Sequence, residues 1–268
     1  MIDGHAILHR AFHALPPLTT KTGEPINAVY GLVSMLLRVI VDLKPTHLAV
    51  CFDVKAPTFR HKAFKEYQSQ RPEMAEELSS QIIKAHKVIQ AFGIPIFEKA
   101  GYEADDILGT IATGAKTDEI VIVTGDRDLL QLVDGKIKLY MPLLGLSTAK
   151  LYGTNEAKER MGILPDLIPD YKTLVGDPSD NYSGVPGIGP KTAISLLDKY
   201  GSIAGIYKSL KVVPDKLREK LTTGKKSAEV SHKLATIVKD VPLKFDLETC
   251  NRWRIDSPAI LNLFASYG

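Results

Sequence analysis

Glu103, Asp105 and Asp106 put three carboxylates into four consecutive positions of Tyr102-Glu103-Ala104-Asp105-Asp106-Ile107-Leu108-Gly109. Ile107, Leu108, Ile111 and Ala112 recur at helical spacing, so these acids fall in the first turn of a predicted helix, where the helix dipole favours anions. The dipole supplies roughly 0.3–1 kcal/mol per charge, too little to justify three acids meeting in one concave site. A bound divalent cation would justify it. Taken alone, the octapeptide reads equally well as a solvated acidic helix start.

Other carboxylates stand in comparable settings. Asp3 follows Met1-Ile2, Asp53 ends the strand-like Leu48-Ala49-Val50-Cys51-Phe52, and Asp126 and Asp128 follow Ile120-Val121-Ile122-Val123-Thr124-Gly125. Each sits where a predicted strand stops, and in open α/β sheets ligand sites assemble at the ends of the strands. Asp177 and Asp180, in Gly176-Asp177-Pro178-Ser179-Asp180-Asn181, bring the candidates to nine.

The elements that must position these acids can be read along the 268 residues, which suffice for one large or two small domains with an ordinary core at 44% hydrophobic content. Apolar spacing predicts helices over 28–43 and 76–92, with buried strands over 46–52 and 94–97. The Glu103 helix, the Ile120 strand, a short helix over 128–133 and a strand over 137–141 continue the alternation. It predicts an α/β fold with a mainly parallel central sheet flanked by helices. Beyond about residue 153 helices dominate, over 155–161, 166–175, 192–200, 214–221 and 227–238, and 241–268 returns to mixed character.

Composition narrows the function classes. No apolar run approaches a membrane span and no basic leader precedes an apolar core, so neither an anchor nor a secretory signal is expected. Cys51 and Cys250 carry no metal-ligand spacing and suit a reducing cytoplasm. The net charge is +3, but with the nine acids set aside as occupied by cations it becomes 34 minus 22, or +12, which suits a phosphate polymer as substrate. Between Thr58 and Arg71, the basic Arg60, His61, Lys62, Lys65 and Arg71 alternate with Phe59, Phe64 and Tyr67. That mix suits single-strand binding, although an amphipathic surface segment would look the same.

The helical region carries its own signal in Gly184-Val185-Pro186-Gly187-Ile188-Gly189-Pro190-Lys191-Thr192-Ala193. Gly187 and Gly189 let backbone amides approach a ligand closely, and a helix then begins with Lys191 and Thr192 in its first turn. Such turns also simply cap helices, but with helices on both sides the better reading is a helix-hairpin-helix gripping a duplex backbone, where K⁺ on hairpin carbonyls could aid phosphate binding.

Asp3-Gly4, Phe52-Asp53, Tyr102-Glu103-Ala104-Asp105-Asp106, Thr124-Gly125-Asp126-Arg127-Asp128, Gly176-Asp177-Pro178-Ser179-Asp180-Asn181 and the Gly187-Ile188-Gly189 hairpin occur in an order and spacing that resembles the bacterial polymerase-linked 5′ nucleases. The chain is also similar to the wider flap endonuclease family. Leu15-Pro16-Pro17-Leu18-Thr19 and Ala56-Pro57-Thr58-Phe59-Arg60-His61 fit the polymerase-linked branch in particular. The resemblance covers nearly the whole chain. It implies a PIN-like 5′ nuclease fold with a metal-binding core over 1–152, an arch near 65–90, a helix-hairpin-helix region over 153–240 and a C-terminal segment, 241–268, packing on the core.

It also implies a metal-dependent 5′ to 3′ exonuclease and flap endonuclease acting on flaps, nicks and single-stranded 5′ ends of DNA and on RNA primers, in replication and repair. Asp53, Glu103, Asp105, Asp126 and Asp128 would form a tighter metal centre with Asp3 and Asp106 close by, and Asp177 and Asp180 would hold a second, weaker metal. Two divalent ions, or three, about 3.5–4 Å apart can activate water and stabilise the leaving oxygen of an in-line displacement. Oxygen ligands with retained waters select Mg²⁺ or Mn²⁺. Arg10, Tyr67 and Arg71 would meet the substrate, with Arg71 taking part in catalysis.

Two departures from the pattern matter. The family has more apolar residues ahead of Asp3, and Gln68 stands where it commonly has a lysine facing the reacting phosphate. The resemblance further implies a monomer working in the cytoplasm at the bacterial nucleoid, and leaves open whether a polymerase domain follows in the same chain or the nuclease stands free. Two other readings explain less. A non-catalytic DNA-binding module has no use for nine acids, and a metal-dependent phosphatase or single-domain ribonuclease leaves the hairpin unexplained.

Overall fold

The computed structural model describes residues 1–143 and 148–267. Its sheet has six strands, β1 (Ile2–Asp3), β2 (Val50–Cys51), β3 (Ile96–Phe97), β4 (Ile120–Val123), β5 (Ile137–Pro142) and β6 (Ala149–Tyr152), in the order β3-β2-β1-β4-β5-β6. β1 to β5 run parallel, with Ile2 paired to Val50 on one side and to Val123 on the other. Successive residues feed opposite layers: Val50 and Val123 pack into one core, Cys51 and Ile122 into the other. Such double burial is why these strands read as unbroken apolar runs. β6 pairs antiparallel with β5. It went unpredicted because Lys150 and Leu151 are exposed, as an edge strand permits.

The sheet region carries α1 (Gly4–Ala14), α2 (Asn27–Leu43), α3 (Phe59–Ala63), α4 (Glu76–Ala91) and α5 (Ala104–Gly114). One core joins α1, α2 and α4 to the sheet, and α5 packs on the opposite core. α1 escaped the sequence reading because histidines interrupt its apolar positions Ile7, Leu8 and Ala11. Asp3 starts it, accepting a hydrogen bond from the Ala6 N–H at 3.0 Å.

Of the residues 65–90, expected to form an arch, those from Glu76 onward belong to α4. α4 buries Leu78, Ala85, Val88 and Ile89 in the main core, so an apolar stripe fixes residues from Glu76 onward. The segment free of that core runs from Phe64 to Ala75.

The helical region comprises α6 (Thr154–Met161), α7 (Ile168–Val175), α8 (Pro190–Tyr200), α9 (Ile203–Lys208), α10 (Asp215–Thr223) and α11 (Lys225–Ala235). Leu174, Val185, Ile188, Leu196, Leu197, Ile206 and Leu221 form its own core. α9, not predicted, is six residues long and starts at Ser202, whose side chain accepts from the Gly205 N–H. The chain then returns to the sheet region: the Cys250 carbonyl accepts from the Leu48 N–H, and α12 (Pro258–Tyr267) lays Ile260 and Phe264 on the main core. Among the described residues, no helix is long and apolar enough to cross a membrane.

Candidate metal centre and nucleic-acid interface

Strand order reverses between β1 and β4, which opens a crevice at the carboxyl ends of the parallel strands. Asp3 ends β1, Asp53 lies two residues beyond β2 and Asp126 three beyond β4. Asp3 is buried, with one oxygen on the Ala6 N–H and the other accepting from the Thr124 hydroxyl at 2.8 Å. Asp53 accepts from the Ala104 N–H at 2.7 Å, tying the end of β2 to the start of α5. Asp126 accepts from the Asp128 N–H at 2.8 Å, which folds the loop after β4 back on itself.

Asp105 is the most exposed electrostatically. It has no hydrogen-bond donor among the described residues, and burial together with the charges of Asp126, Asp3, Asp53 and Glu103 pushes its carboxyl well above the usual range. Burial raises Asp3 to about 7 and Glu103 to about 7. Carboxylates massed at one strand-end crevice, with protons held this high, form a set that a hard divalent cation fits: it would supply the positive charge the protein withholds from Asp105.

Asp106 departs from the expected ligand set. It is fully buried, and Arg60 holds both its oxygens in a two-pronged pair at 2.7 and 2.8 Å, while the N–H groups of Glu103 and Val238 also donate to it. Arg60 is buried too and donates to the carbonyls of Leu234 and Thr236. Asp106 and Arg60 therefore staple α3, α5 and the end of α11 together, and Arg60 is not available to nucleic acid as the basic Thr58–Arg71 run suggested. The planar fork of arginine suits a buried bidentate pair. Sequence spacing could not separate Asp106 from its neighbours, because one helical step turns a side chain from crevice to core.

Asp128, Asp177 and Asp180 form a second group, with one oxygen from each lying within 4.8 Å of the others. Sequence reasoning missed its central feature. Lys172 of α7, buried by its surroundings, contacts Asp128 and Asp177, so a lysine ammonium neutralises this group from within. Burial works against the Lys172 charge, but Asp128, Tyr182 and Asp177 together outweigh it and hold the lysine pKa above its ordinary range. Burial likewise lifts Asp128 to about 6 despite Lys172, and it works to raise Asp177, where Lys172 and Ser179 win and keep the carboxyl low. The available signal was a lone lysine in a predicted helix, five residues before Asp177.

The Tyr67 hydroxyl lies 3.2 Å from an oxygen of Glu103 and 3.2 Å from one of Asp180, and its single proton, shared between them, links the two acid groups. Its ring is 3% exposed, so it offers no face for a base to stack on. Gln68 adopts a left-handed φ of 57°, and its amide donates to Asp180 at 3.1 Å, so it serves the acid group rather than facing outward to a phosphate. Arg71 pairs with Asp180 at 2.6 Å but keeps half its side chain exposed. Arg10 lies beside Gly125, at the end of β4, and donates to the Leu143 carbonyl at 2.6 Å.

The hairpin between α7 and α8 behaves differently at its two glycines. Gly187 has φ 79° and a lysine stem packed over it, so its identity is required internally. At Gly189, which caps α8, an added Cβ would meet nothing, and the extended backbone suits any residue. The space beyond Gly189, at a helix start bearing Lys191 and Thr192, is open to a ligand phosphate.

Comparison with known proteins agrees with this geometry. Residues 1–162 match the 5′-3′ exonuclease N-terminal resolvase-like domain, and residues 163–258 match the 5′-3′ exonuclease C-terminal SAM fold. DNA polymerase I of Caldicellulosiruptor bescii is 43% identical over 92% of this chain and 30% of its own length. DNA polymerase I of Bacillus subtilis is 38% identical over 100% and 31%. The chain thus spans about a third of these curated relatives. Among solved structures, a bacteriophage T5 flap endonuclease in a pseudo-enzyme-product complex with DNA and metal ions is 21% identical, with a TM-score of 0.70 over 87% of each chain. The catalytic core of Rad2 with DNA substrate is 16% identical, with a TM-score of 0.63 over 99% of this chain and 85% of that one. With both family domains matched end to end over a crevice of carboxylates and an adjoining hairpin, the chain belongs to the 5′-3′ exonuclease family of nucleases.

Proposed function

We propose that the chain is a structure-specific 5′ nuclease that hydrolyses phosphodiesters at flaps, nicks and single-stranded 5′ ends of DNA, including RNA primers awaiting removal. The observation that carries the reading is the juxtaposition of unneutralised acids at the switch point with a hairpin whose outer glycine faces open space. Asp53, Glu103, Asp105 and Asp126, with Asp3, would hold the tighter Mg²⁺ or Mn²⁺, and Asp128, Asp177 and Asp180 the second, which moves Asp128 from the group expected on sequence. Bound there, the ions would supply Lewis acidity and a nucleophilic water at neutral pH.

The chain's own residues do the rest. Thr124 orients Asp3, the Ala104 N–H orients Asp53, and Tyr67 keeps Glu103 and Asp180 in register. Arg71, half exposed on Asp180, can exchange that carboxylate for a substrate phosphate. The Phe64 to Ala75 segment, lying against Asp180, is where a 5′ single strand would pass. The T5 flap endonuclease and Rad2 were each solved with DNA, which supports the same substrate class here. A polymerase domain in the same polypeptide, a monomeric state and a cytoplasmic location belong to this reading.

A 5′-labelled flap incubated with Mg²⁺ should release short 5′ products, and EDTA should abolish them. DNA that is bound but uncut in Mg²⁺ would instead favour a binding module.

A further inference from the structure

Residues 177–182, which carry Asp177 and Asp180, form a closed turn. Asp177 and Tyr182 exchange N–H to carbonyl bonds at 2.8 and 3.1 Å, and a Cβ on Gly176 would fall 2.5 Å from the Tyr182 carbonyl, so the turn is packed against its own return strand. It is a rigid post. The segment that crosses it is not: Tyr67 is buried with Tyr182 in a small apolar cluster, but every residue from Ser69 to Ala75 is exposed.

Two kinds of contact join segment to post. The first reaches the Asp180 carboxylate: the Gln68 amide donates to one oxygen at 3.1 Å and Arg71 to the same oxygen at 2.6 Å, while the Tyr67 hydroxyl lies 3.2 Å from the other. A divalent ion on Asp180 would need those oxygens, so all three contacts compete with it. The second kind does not compete. The Gln68 N–H donates to the Asp180 carbonyl at 3.0 Å, and the Asn181 side-chain amide donates to the Glu66 carbonyl at 2.8 Å and to the Ser69 hydroxyl at 3.0 Å. Asn181 does this from a left-handed φ of 60°, which asparagine tolerates better than most residues.

We propose that Asn181 is a positioning residue: by clamping the Glu66–Ser69 turn to the acid loop, it keeps the exposed segment in place when Asp180 turns from Gln68 and Arg71 to a divalent ion. Without the ion, the carboxylate contacts hold the segment and Asn181 is redundant. With it, the Asn181 bonds carry the clamp, and Arg71 is released toward a phosphate while the turn beneath it stays fixed. This rests on the proposed reading of Asp180 as a metal ligand and of the segment as the passage for a 5′ strand.

The test follows the segment by pulsed-EPR distances in the 268-residue chain without DNA, between spin labels on Glu73→Cys and Lys199→Cys. Both positions are exposed and the native Cys51 and Cys250 are buried, so labelling is selective. The clamp is removed by Asn181→Gly, since glycine takes positive φ without strain and only the side-chain bonds are lost. The native distance should stay narrow in EDTA and in Mg²⁺, whereas that of Asn181→Gly should be narrow in EDTA and broad in Mg²⁺. On a 5′-labelled flap in Mg²⁺ the unlabelled variant should show KM raised about fivefold to tenfold, with a smaller change in kcat, because only the ordered fraction of the protein is competent to bind. Ser69→Ala, at an exposed position, removes one of the two bonds from the other side and should shift both readouts the same way by less.

Broadening of Asn181→Gly in EDTA as well as in Mg²⁺ would make Asn181 a general structural contact, and broadening in neither, or of the native chain in Mg²⁺, would mean that it does not hold the segment. Any of these overturns the proposal while the native chain still cuts the flap. A native chain that leaves the flap uncut overturns the reading beneath it.

Discussion

Two groups of carboxylates sit side by side in this molecule and are treated in opposite ways. Asp105, with Asp3, Asp53 and Asp126 at the ends of β1, β2 and β4, pairs with no lysine or arginine among the described residues, and burial together with neighbouring carboxylates holds the protons of Asp105 and Asp3 high. Asp128, Asp177 and Asp180 are served by Lys172 and Arg71. The first group is complete only when a cation arrives from solution. The second is already balanced, so a divalent ion there has to displace or share with a lysine. That difference would give a structural reason for the unequal metal affinities proposed for the two groups, which residue counting along the chain can suggest but not explain.

The sharpest way to break the contrast is Asp105→Asn. It should lower cleavage by more than about 100-fold, the loss seen even for outer-shell partners of metal ligands, and at the same time raise the melting temperature in EDTA by relieving repulsion. A variant that is both inactive and less stable in EDTA would mean that Asp105 is a structural acid. Lys172→Met should act the other way. Removing one partner of a buried pair costs about 3–5 kcal/mol, so the metal-free protein should melt markedly earlier. Mg²⁺ should restore more stability to this variant than it adds to the native chain, and equal Mg²⁺ effects on both would count against Lys172 standing in for a metal.

The pH dependence follows from the raised acids. In the unfolded chain Asp and Glu titrate near 4, but in the fold Asp3 and Glu103 hold protons to about 7 and Asp128 to about 6. Stability from these groups is full below pH 4 and drains away as pH rises through 6 to 7, because the fold then bears repelling charges. Melting curves in EDTA should therefore show a loss between pH 5.5 and 8, and Mg²⁺ should stabilise the protein more at pH 8 than at 5.5. A Mg²⁺ effect independent of pH would remove the acid crevice as its binding place.

The smallest effect concerns Gln68. A lysine facing the phosphate would speed the chemical step, but the structure turns Gln68 onto Asp180. Gln68→Lys should instead add a third cation to the second group and raise the Mg²⁺ requirement by less than about tenfold, leaving the single-turnover rate at saturating Mg²⁺ unchanged. A faster rate at saturation would restore the outward-facing reading.

The sequence by itself determined the parallel part of the sheet, because parallel strands buried on both faces must be continuous apolar runs, as in Ile120–Val123. It determined that Asp3, Asp53 and Asp126 stand at strand ends, and that the hairpin carries two glycines before a helix. It could not tell Asp105 from Asp106. Adjacent residues on a helix differ by about 100° in direction, and only the docking of Arg60 and α11 decides which direction is core. Nor could it pair Lys172 with Asp128 or Lys220 with Gly187, each more than thirty residues apart. Those contacts depend on how α7 meets the sheet and α10 meets the hairpin, and a lysine's long stem reads the same in sequence whether it ends in water, on an acid or on a carbonyl.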